Sequence, residues 1–379
     1  MAELGSIRMR DIARLANVSA GTVSRVLNGR PGVGPETRRR VEALIDEHGF
    51  RANASAQQLS TGRSRTVGVV FPLHASEVVM HPIYPALLAG LGDAAEERAY
   101  DLMLLSASSL ESVEHLRDTI RRRRVDGVVL PAAGPRDRLL HDVLTSGVPT
   151  VLIGHRDRHP QVGWVDSTHD VAAGDLTDLM IAGGRRELVM LNGPDTVSAT
   201  RLRSNGFWRS IHDHPDGVDW ASEYRIAFDT VEAGRVTRSI LHGSSRPTAI
   251  VCGNDLIAIG VMQAARELGL EIPADLAVSG FDDRSFAATT TPPLSTARMP
   301  LQDIGAAAAH LLFALIEDEP VTRRHLILPT QVVIRGTTPA TDAHGAAARV
   351  GDEVGVRDGL AAHHVRSVGP APTFHIEST

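Results

Sequence analysis

The chain has 379 residues, 22% of them charged and 42% hydrophobic, a length that predicts two or three domains with cores of their own. Its single cysteine, Cys252, excludes an intramolecular disulfide framework and a cysteine-ligated zinc cluster, and all 39 basic residues are Arg. The formal net charge of −6 is divided unevenly, with 11 Arg against 6 acidic residues in 1–65 and 28 Arg against 39 acids thereafter, so a small basic head is expected to meet a polyanion that the acidic body repels.

No run of about 18 apolar residues reads as a membrane span, and Met1–Gly5 has neither the basic start nor the apolar stretch of a signal peptide. The expected location is therefore cytoplasmic, with no membrane partner.

In chain order, Arg10 to Ala16 reads as a short helix with Ile12, Leu15 and Ala16 on one face. Asn17-Val18-Ser19 is a turn, and Ser19 is a good N-cap, although Thr22 does not complete a capping box. A second helix runs to Leu27, burying Val23, Val26 and Leu27, and Asn28-Gly29 stops it. A third starts at Gly34-Pro35, buries Val41, Leu44 and Ile45, and ends at Gly49. Two short helices joined by a tight turn and braced by a third make a helix-turn-helix.

From Thr66 the pattern alternates. Apolar runs at 66–71, 101–105, 125–130, 150–153, 187–191, 249–251 and 277–281 read as strands. Helical patterns lie between them at 84–98, 112–123, 135–146, 170–182, 231–241 and 254–268. This spacing predicts parallel sheets with right-handed crossovers, and near ten strands divide best into two α/β lobes. Beyond Thr338 the composition is Ala, Gly, His and charge without a period, which predicts a disordered tail.

The run from Met9 to Gly29, with Asp11-Ile12-Ala13 and Val18-Ser19-Ala20-Gly21-Thr22-Val23-Ser24-Arg25-Val26-Leu27-Asn28, closely resembles the helix-turn-helix of the lactose-repressor family of bacterial transcription regulators. So do Pro35-Glu36-Thr37-Arg38, the hinge-like Asn53-Ala54-Ser55-Ala56-Gln57-Gln58-Leu59, and the ending Val333-Ile334-Arg335-Gly336-Thr337-Thr338. The resemblance implies an α/β architecture. A three-helix DNA-binding head at 7–52 and a hinge helix with linker at 53–65 would precede a two-lobed, periplasmic-binding-protein-like effector and dimerisation domain at 66–338 and a tail at 339–379.

In that family the second helix enters the major groove. Arg25 is then the expected base reader, since its fork can bond guanine O6 and N7, or else it contacts phosphate. Ala20 and Gly21 offer no side-chain hydrogen bonds and permit close approach. Thr22, Ser24 and Asn28 suit phosphate oxygens. The hinge contributes Asn53, Ala56 and Leu59. It is too short to be helical unaided, and the residue matching Leu59 wedges into the minor groove. Two departures from the pattern are Arg8, where the family usually caps the first helix with Thr or Ser, and Ala52, where it often has Pro.

The body resembles the family's effector domain, whose ligand lies between the lobes beyond the carboxyl ends of strands. The stretches His81-Pro82-Ile83-Tyr84, Arg201–Phe207, Cys252–Asp255 and Phe281-Asp282-Asp283 align with its cleft. They nominate His81, Tyr84, Arg203, Asn254 and Asp282, with Phe228 where an aromatic residue often stacks. Vicinal hydroxyls suit groups that bond twice: Arg203 donates, Asp282 accepts and Asn254 does one of each. The alternative for Arg203 and Asp282 is an internal salt bridge. Gly154 stands where some members carry an acidic contact, which leaves His155 or Arg156 to supply the polar group.

The function implied is a non-enzymatic, sequence-specific repressor of sugar-utilisation genes, without a cofactor or metal. A small sugar inducer would release it from a pseudo-palindromic double-stranded operator. A corepressor-dependent regulator that binds a nucleobase or another small metabolite is the alternative. Two heads on two half-sites require a homodimer, and the absence of apolar heptads in the tail argues against a tetramer. The run Arg121–Arg124 reads as solvated surface at a helix end. Ala89-Gly90-Leu91-Gly92 lies inside a helix and is no phosphate loop.

Overall fold

The computed structural model describes residues 7–27, 31–50, 62–71, 83–131, 138–154 and 161–339. Residues 53–61 of the hinge and linker, 340–379 of the tail and 28–30 therefore lie outside the described residues. The head is built from α1 (Met9–Leu15), α2 (Ala20–Leu27) and α3 (Pro35–Glu47). Ile12, Ala13, Ala16, Val23, Val26, Val41 and Phe50 form its core. Leu15, expected on the buried face, is 49% exposed. The packed stripe is centred on Ile12, Ala13 and Ala16, which turns position 15 to its edge. Ser19 caps α2, its Oγ accepting from the Thr22 N–H at 3.1 Å. The Arg8 side chain cannot accept, so α1 is closed from within: the Asp11 carboxylate accepts from the Arg8 N–H at 3.0 Å.

The first lobe begins with β1 (Thr66–Phe71), α4 (Tyr84–Glu97), β2 (Asp101–Ser106) and α5 (Leu110–Arg121). It continues through β3 (Gly127–Pro131), α6 (Arg138–Thr145), β4 (Thr150–Ile153) and β5 (Gly163–Ser167). The second lobe holds α7 (His169–Ala182), β6 (Glu187–Asn192), α8 (Ser198–Asp213), β7 (Trp220–Arg225) and α9 (Thr230–Leu241). Then come β8 (Ala249–Cys252), α10 (Asp255–Glu267), β9 (Ala277–Ser279) and β10 (Thr296–Arg298). The chain returns to the first lobe as α11 (Leu301–Ile316) and β11 (His325–Leu328), and crosses back as β12 (Gln331–Val333).

Two sheets result, ordered β11-β5-β4-β3-β1-β2 and β7-β6-β8-β9, with a β10-β12 ribbon. All pairs in both sheets are parallel; the ribbon is antiparallel. Three crossings therefore join the lobes, and two are tied together: the Thr168 N–H donates to the Leu328 carbonyl at 3.1 Å and the Thr330 N–H to the Thr168 hydroxyl at 2.9 Å.

The return is secured by close helix packing. A Cβ at Gly90 of α4 would collide with the Gln302 carbonyl of α11, and one at Gly305 with the Leu87 carbonyl. The glycine-bearing stretch at 89–92 thus serves a helix crossing. The strand expected over 277–281 stops at Ser279. Asp282 and Asp283 then take φ values of 102° and 52°, outside the range a strand allows, and the backbone turns there.

Candidate functional site

On the head, α2 exposes Ala20, Gly21 and Arg25, while Thr22 and Ser24 are half-buried. The Thr22 hydroxyl is 2.9 Å from the Ser19 Oγ, so it braces the cap. A Cβ at Gly21 would meet nothing nearer than the Ser19 Oγ at 3.6 Å. The head's own packing therefore does not demand glycine there. Asn28, Asn53, Ala56 and Leu59 lie outside the described residues.

Between the lobes is a cavity of about 350 Å³ at the carboxyl ends of the strands. Of the six residues nominated for it, Tyr84, Arg203, Phe228, Asn254 and Asp282 all line it. His81 lies outside the described residues, as do His155 and Arg156; Gly154 lines the cavity with a φ of 106°.

Arg203 projects from α8 and is buried. It donates through Nη1 to the Gly253 carbonyl, and its Nη2 is 3.4 Å from the Asp282 Oδ1. The guanidinium carbon stands 3.8 Å from the centre of the Phe281 ring. Nε and Nη2 both reach the His169 Nδ1 at 3.4 Å, and the His169 Nε2 is 2.9 Å from the Asp166 Oδ1. With Nδ1 accepting from Arg203, the ring proton on Nε2 goes to Asp166. The floor of the cavity is thus a chain, Asp166–His169–Arg203–Asp282.

His169 and Asp166 were not nominated from the sequence. The signal was a polar Asp166-Ser167 closing an otherwise apolar strand, with His169 one turn on; buried polar groups in such a strand end are informative. The salt-bridge alternative for Arg203 and Asp282 is realised in the structure, and both residues also line the cavity. Burial pushes the Arg203 guanidinium down and the Asp282 carboxyl up, and the attraction of each for the other only partly opposes this. A pair whose desolvation exceeds its mutual gain benefits from further hydrogen bonds.

Asn254 is the N-cap of α10, its Oδ1 accepting from the Ile257 N–H at 2.9 Å. Its Oδ1 thus spends one of its two lone pairs on the cap, so the amide can still donate through Nδ2 and accept through Oδ1. Phe228 lies over Gly193, where any Cβ would strike the ring. Tyr84 packs edge-on to Phe71 at 4.7 Å, and burial pushes its hydroxyl up to about 12. Below the floor, Asp255 accepts from the Thr296 hydroxyl at 2.6 Å and the Arg284 N–H at 2.7 Å. Burial, reinforced by the charge of Asp282, pushes the Asp255 carboxyl up to about 7.

A helix-turn-helix head followed by two parallel-sheet lobes around a polar-floored cleft defines a ligand-responsive DNA-binding regulator. Residues 8–53 match the family of bacterial regulatory proteins of the lacI family, and residues 177–338 match the periplasmic binding protein-like domain. The HTH-type transcriptional regulator MalR of Streptomyces coelicolor is 32% identical over 340 residues, covering 87% of this chain and 96% of its own. The ribose operon repressor of Escherichia coli is 30% identical over 342 residues, covering 87% and 99%. Among solved structures, a lac repressor dimer bound to operator and the anti-inducer ONPF superposes with a TM-score of 0.75 at 25% identity, covering 89% of this chain and all of that one. A complex of the transcriptional regulator CelR with cellobiose gives 0.67 at 28% identity, covering 87% and 99%. The chain belongs to the lacI family of bacterial transcriptional regulators. Among the described residues no helix is long and apolar enough to cross a membrane.

Proposed function

We propose that this protein is a cytoplasmic, homodimeric repressor of sugar-utilisation genes, released from a pseudo-palindromic operator by a small sugar. The head at 7–52 reads DNA, the hinge at 53–65 docks in the minor groove, the body at 66–338 binds effector and dimerises, and 339–379 is a dispensable tail. Arg25 reads a base, Ala20 and Gly21 allow close approach, and Thr22, Ser24 and Asn28 hold phosphates. Asn53, Ala56 and Leu59 form the hinge contact. Tyr84, His81 and Phe228 flank the ligand; Arg203, Asn254 and Asp282 bond it. The relatives are regulators, and the chain is read as a non-enzyme.

The observation that carries this reading is the cleft floor. Arg203, Asp282 and the Asn254 amide converge on one cavity, a donor and acceptor set that suits vicinal hydroxyls. The names of the relatives, a ribose operon repressor and a cellobiose complex among them, point the same way. The test starts from duplexes selected by the full-length protein from a randomised library. Their affinity is measured by fluorescence anisotropy, with a panel of sugars and nucleobases added singly. Release by a sugar supports the inducer reading. Tightening by a nucleobase supports the corepressor alternative, and failure to select any duplex ends both.

A further inference from the structure

The end of α5 and the turn after it carry four consecutive arginines, Arg121 to Arg124, all exposed. Asp118 stands 3.6 Å from both Arg121 and Arg122, and ion pairs this exposed contribute little. A helix dipole favours cations within its last turn. That accounts for Arg121, the end of α5, but Arg122, Arg123 and Arg124 lie beyond it.

Asp126 fixes where this turn sits. Its carboxylate accepts from the Ser64 N–H at 2.7 Å, the Arg65 N–H at 2.8 Å and the Ser64 hydroxyl at 2.9 Å. The Asp126 N–H donates in turn to the Thr66 carbonyl at 2.8 Å. The arginine turn is thereby stapled to the connector that enters β1. β1 and β3 run parallel, Val67 opposite Gly127, so both strands start at this end. The effector cavity lies at their other end, lined by Phe71 and Pro131.

The connector end of the lobe is not uniformly basic. Glu317, Asp318 and Glu319 follow α11, with Glu317 2.9 Å from Arg98 and 3.5 Å from Arg65, and Glu319 2.9 Å from Arg98. The acidic flank thus belongs to α11 and α4, and the arginine flank to β3.

We propose that Arg121–Arg124 is a second DNA-contact site, a phosphate clamp supplied by the body beside the hinge. The proposal rests on the reading in which Leu59 enters the minor groove. Leu59 and Arg65 are six positions apart, at most about 22 Å of extended chain. DNA held by the hinge therefore lies no farther than about that distance from Arg65, at the end of the lobe that carries the turn. Guanidinium forks match phosphate oxygens and carry no sequence information, so the clamp adds affinity and register rather than base choice. It departs from the expectation that DNA contact is confined to the head; the acidic total of residues 66–379 conceals a local basic flank.

The test replaces Arg121→Gln, Arg122→Gln and Arg124→Gln together and leaves Arg123, whose φ is 53°. A second variant carries Lys at the same three positions. Both are titrated, as full-length protein, with the selected duplex across a salt series. Losing these contacts from both protomers should make the slope of log K against log salt shallower by at least about 2 for the glutamine variant. The lysine variant should retain the wild-type slope. A glutamine variant with wild-type slope and affinity overturns the clamp, as does a lysine variant that loses as much slope as the glutamine one. Wild-type protein that selects no duplex overturns the DNA-binding reading instead.

Discussion

Arg203 directs its donors at a backbone carbonyl, His169, Asp282 and the Met299 sulfur, while stacked on Phe281. Arg203→Ala strips the buried Asp282 carboxyl of its ion-pair partner at 3.4 Å, and a ligand bonded to both loses a charge-assisted contact. That should cost on the order of 2 kcal/mol, or at least tenfold in sugar affinity. The variant should still bind the duplex but fail to release it with sugar, read by anisotropy with and without ligand. Asp255 gives a second residue-scale prediction. Its carboxyl is raised from 3.8 to about 7 in the fold, so its contribution to stability is complete below pH 3.8 and is lost as pH rises to about 7. Asp255→Asn mimics the neutral acid, with its oxygen toward the Arg284 N–H and its amide toward the Thr296 hydroxyl. Relative to wild type the variant should gain stability between pH 4 and 7 and hold that gain above it; urea midpoints at pH 5 and 8 that shift equally for both proteins would contradict this. Resemblance made Arg203 and Asp282 legible in the sequence. The His169–Asp166 end of the floor was not, because only the fold sets the mouth of β5 against α8.

At the scale of elements, local periodicity found α1, α2 and α3 within a residue or two, since each is short and one-faced, with a clear start or stop. It did not find β5, β7, α8 or α11. α8 carries Ser, Thr, Arg, Asn and Gly among its apolar residues, so its pattern is blurred by the cleft and packing roles it combines. Two glycines separate packing from function. Gly21 is free of close neighbours, so Gly21→Ala should raise head stability by about 0.5–1 kcal/mol through helix propensity. If α2 lies against DNA as proposed, the same methyl should weaken duplex binding. Unfolding of the variant without DNA and its duplex affinity should therefore move in opposite directions. Gly90 is the reverse case: Gly90→Ala drives a methyl into the Gln302 carbonyl and must part α4 from α11, costing about 1–3 kcal/mol by overpacking. A melting temperature equal to wild type would show that the crossing yields without cost.

On the scale of the whole molecule, two lobes followed from counting strands, but the triple crossing did not. A pattern of alternating elements carries no mark that α11 and β11 rejoin the first sheet after the second is complete. The crossing also decides where the folded chain can be cut. The Thr337 carbonyl accepts from the Val278 N–H at 2.9 Å, and its hydroxyl accepts from the Ser295 N–H at 2.8 Å. The Thr338 hydroxyl is 2.9 Å from the Ser295 Oγ, and both threonines are buried. Thr337 and Thr338 therefore seal β9 and the segment leading into β10. The composition beyond them predicts no contribution to core or assembly. Truncation after Thr338 should leave the melting temperature and the dimer mass unchanged. Truncation after Gly336 removes the two threonines and strands buried donors at Val278 and Ser295, each costing about 1–3 kcal/mol. Its melting temperature should fall by several degrees while the dimer persists. Calorimetry and sedimentation on the pair test both halves. If the chain ending at Thr338 sediments as a dimer where the full chain is a tetramer, or melts as early as the chain ending at Gly336, the tail has a structural role that its composition does not foretell.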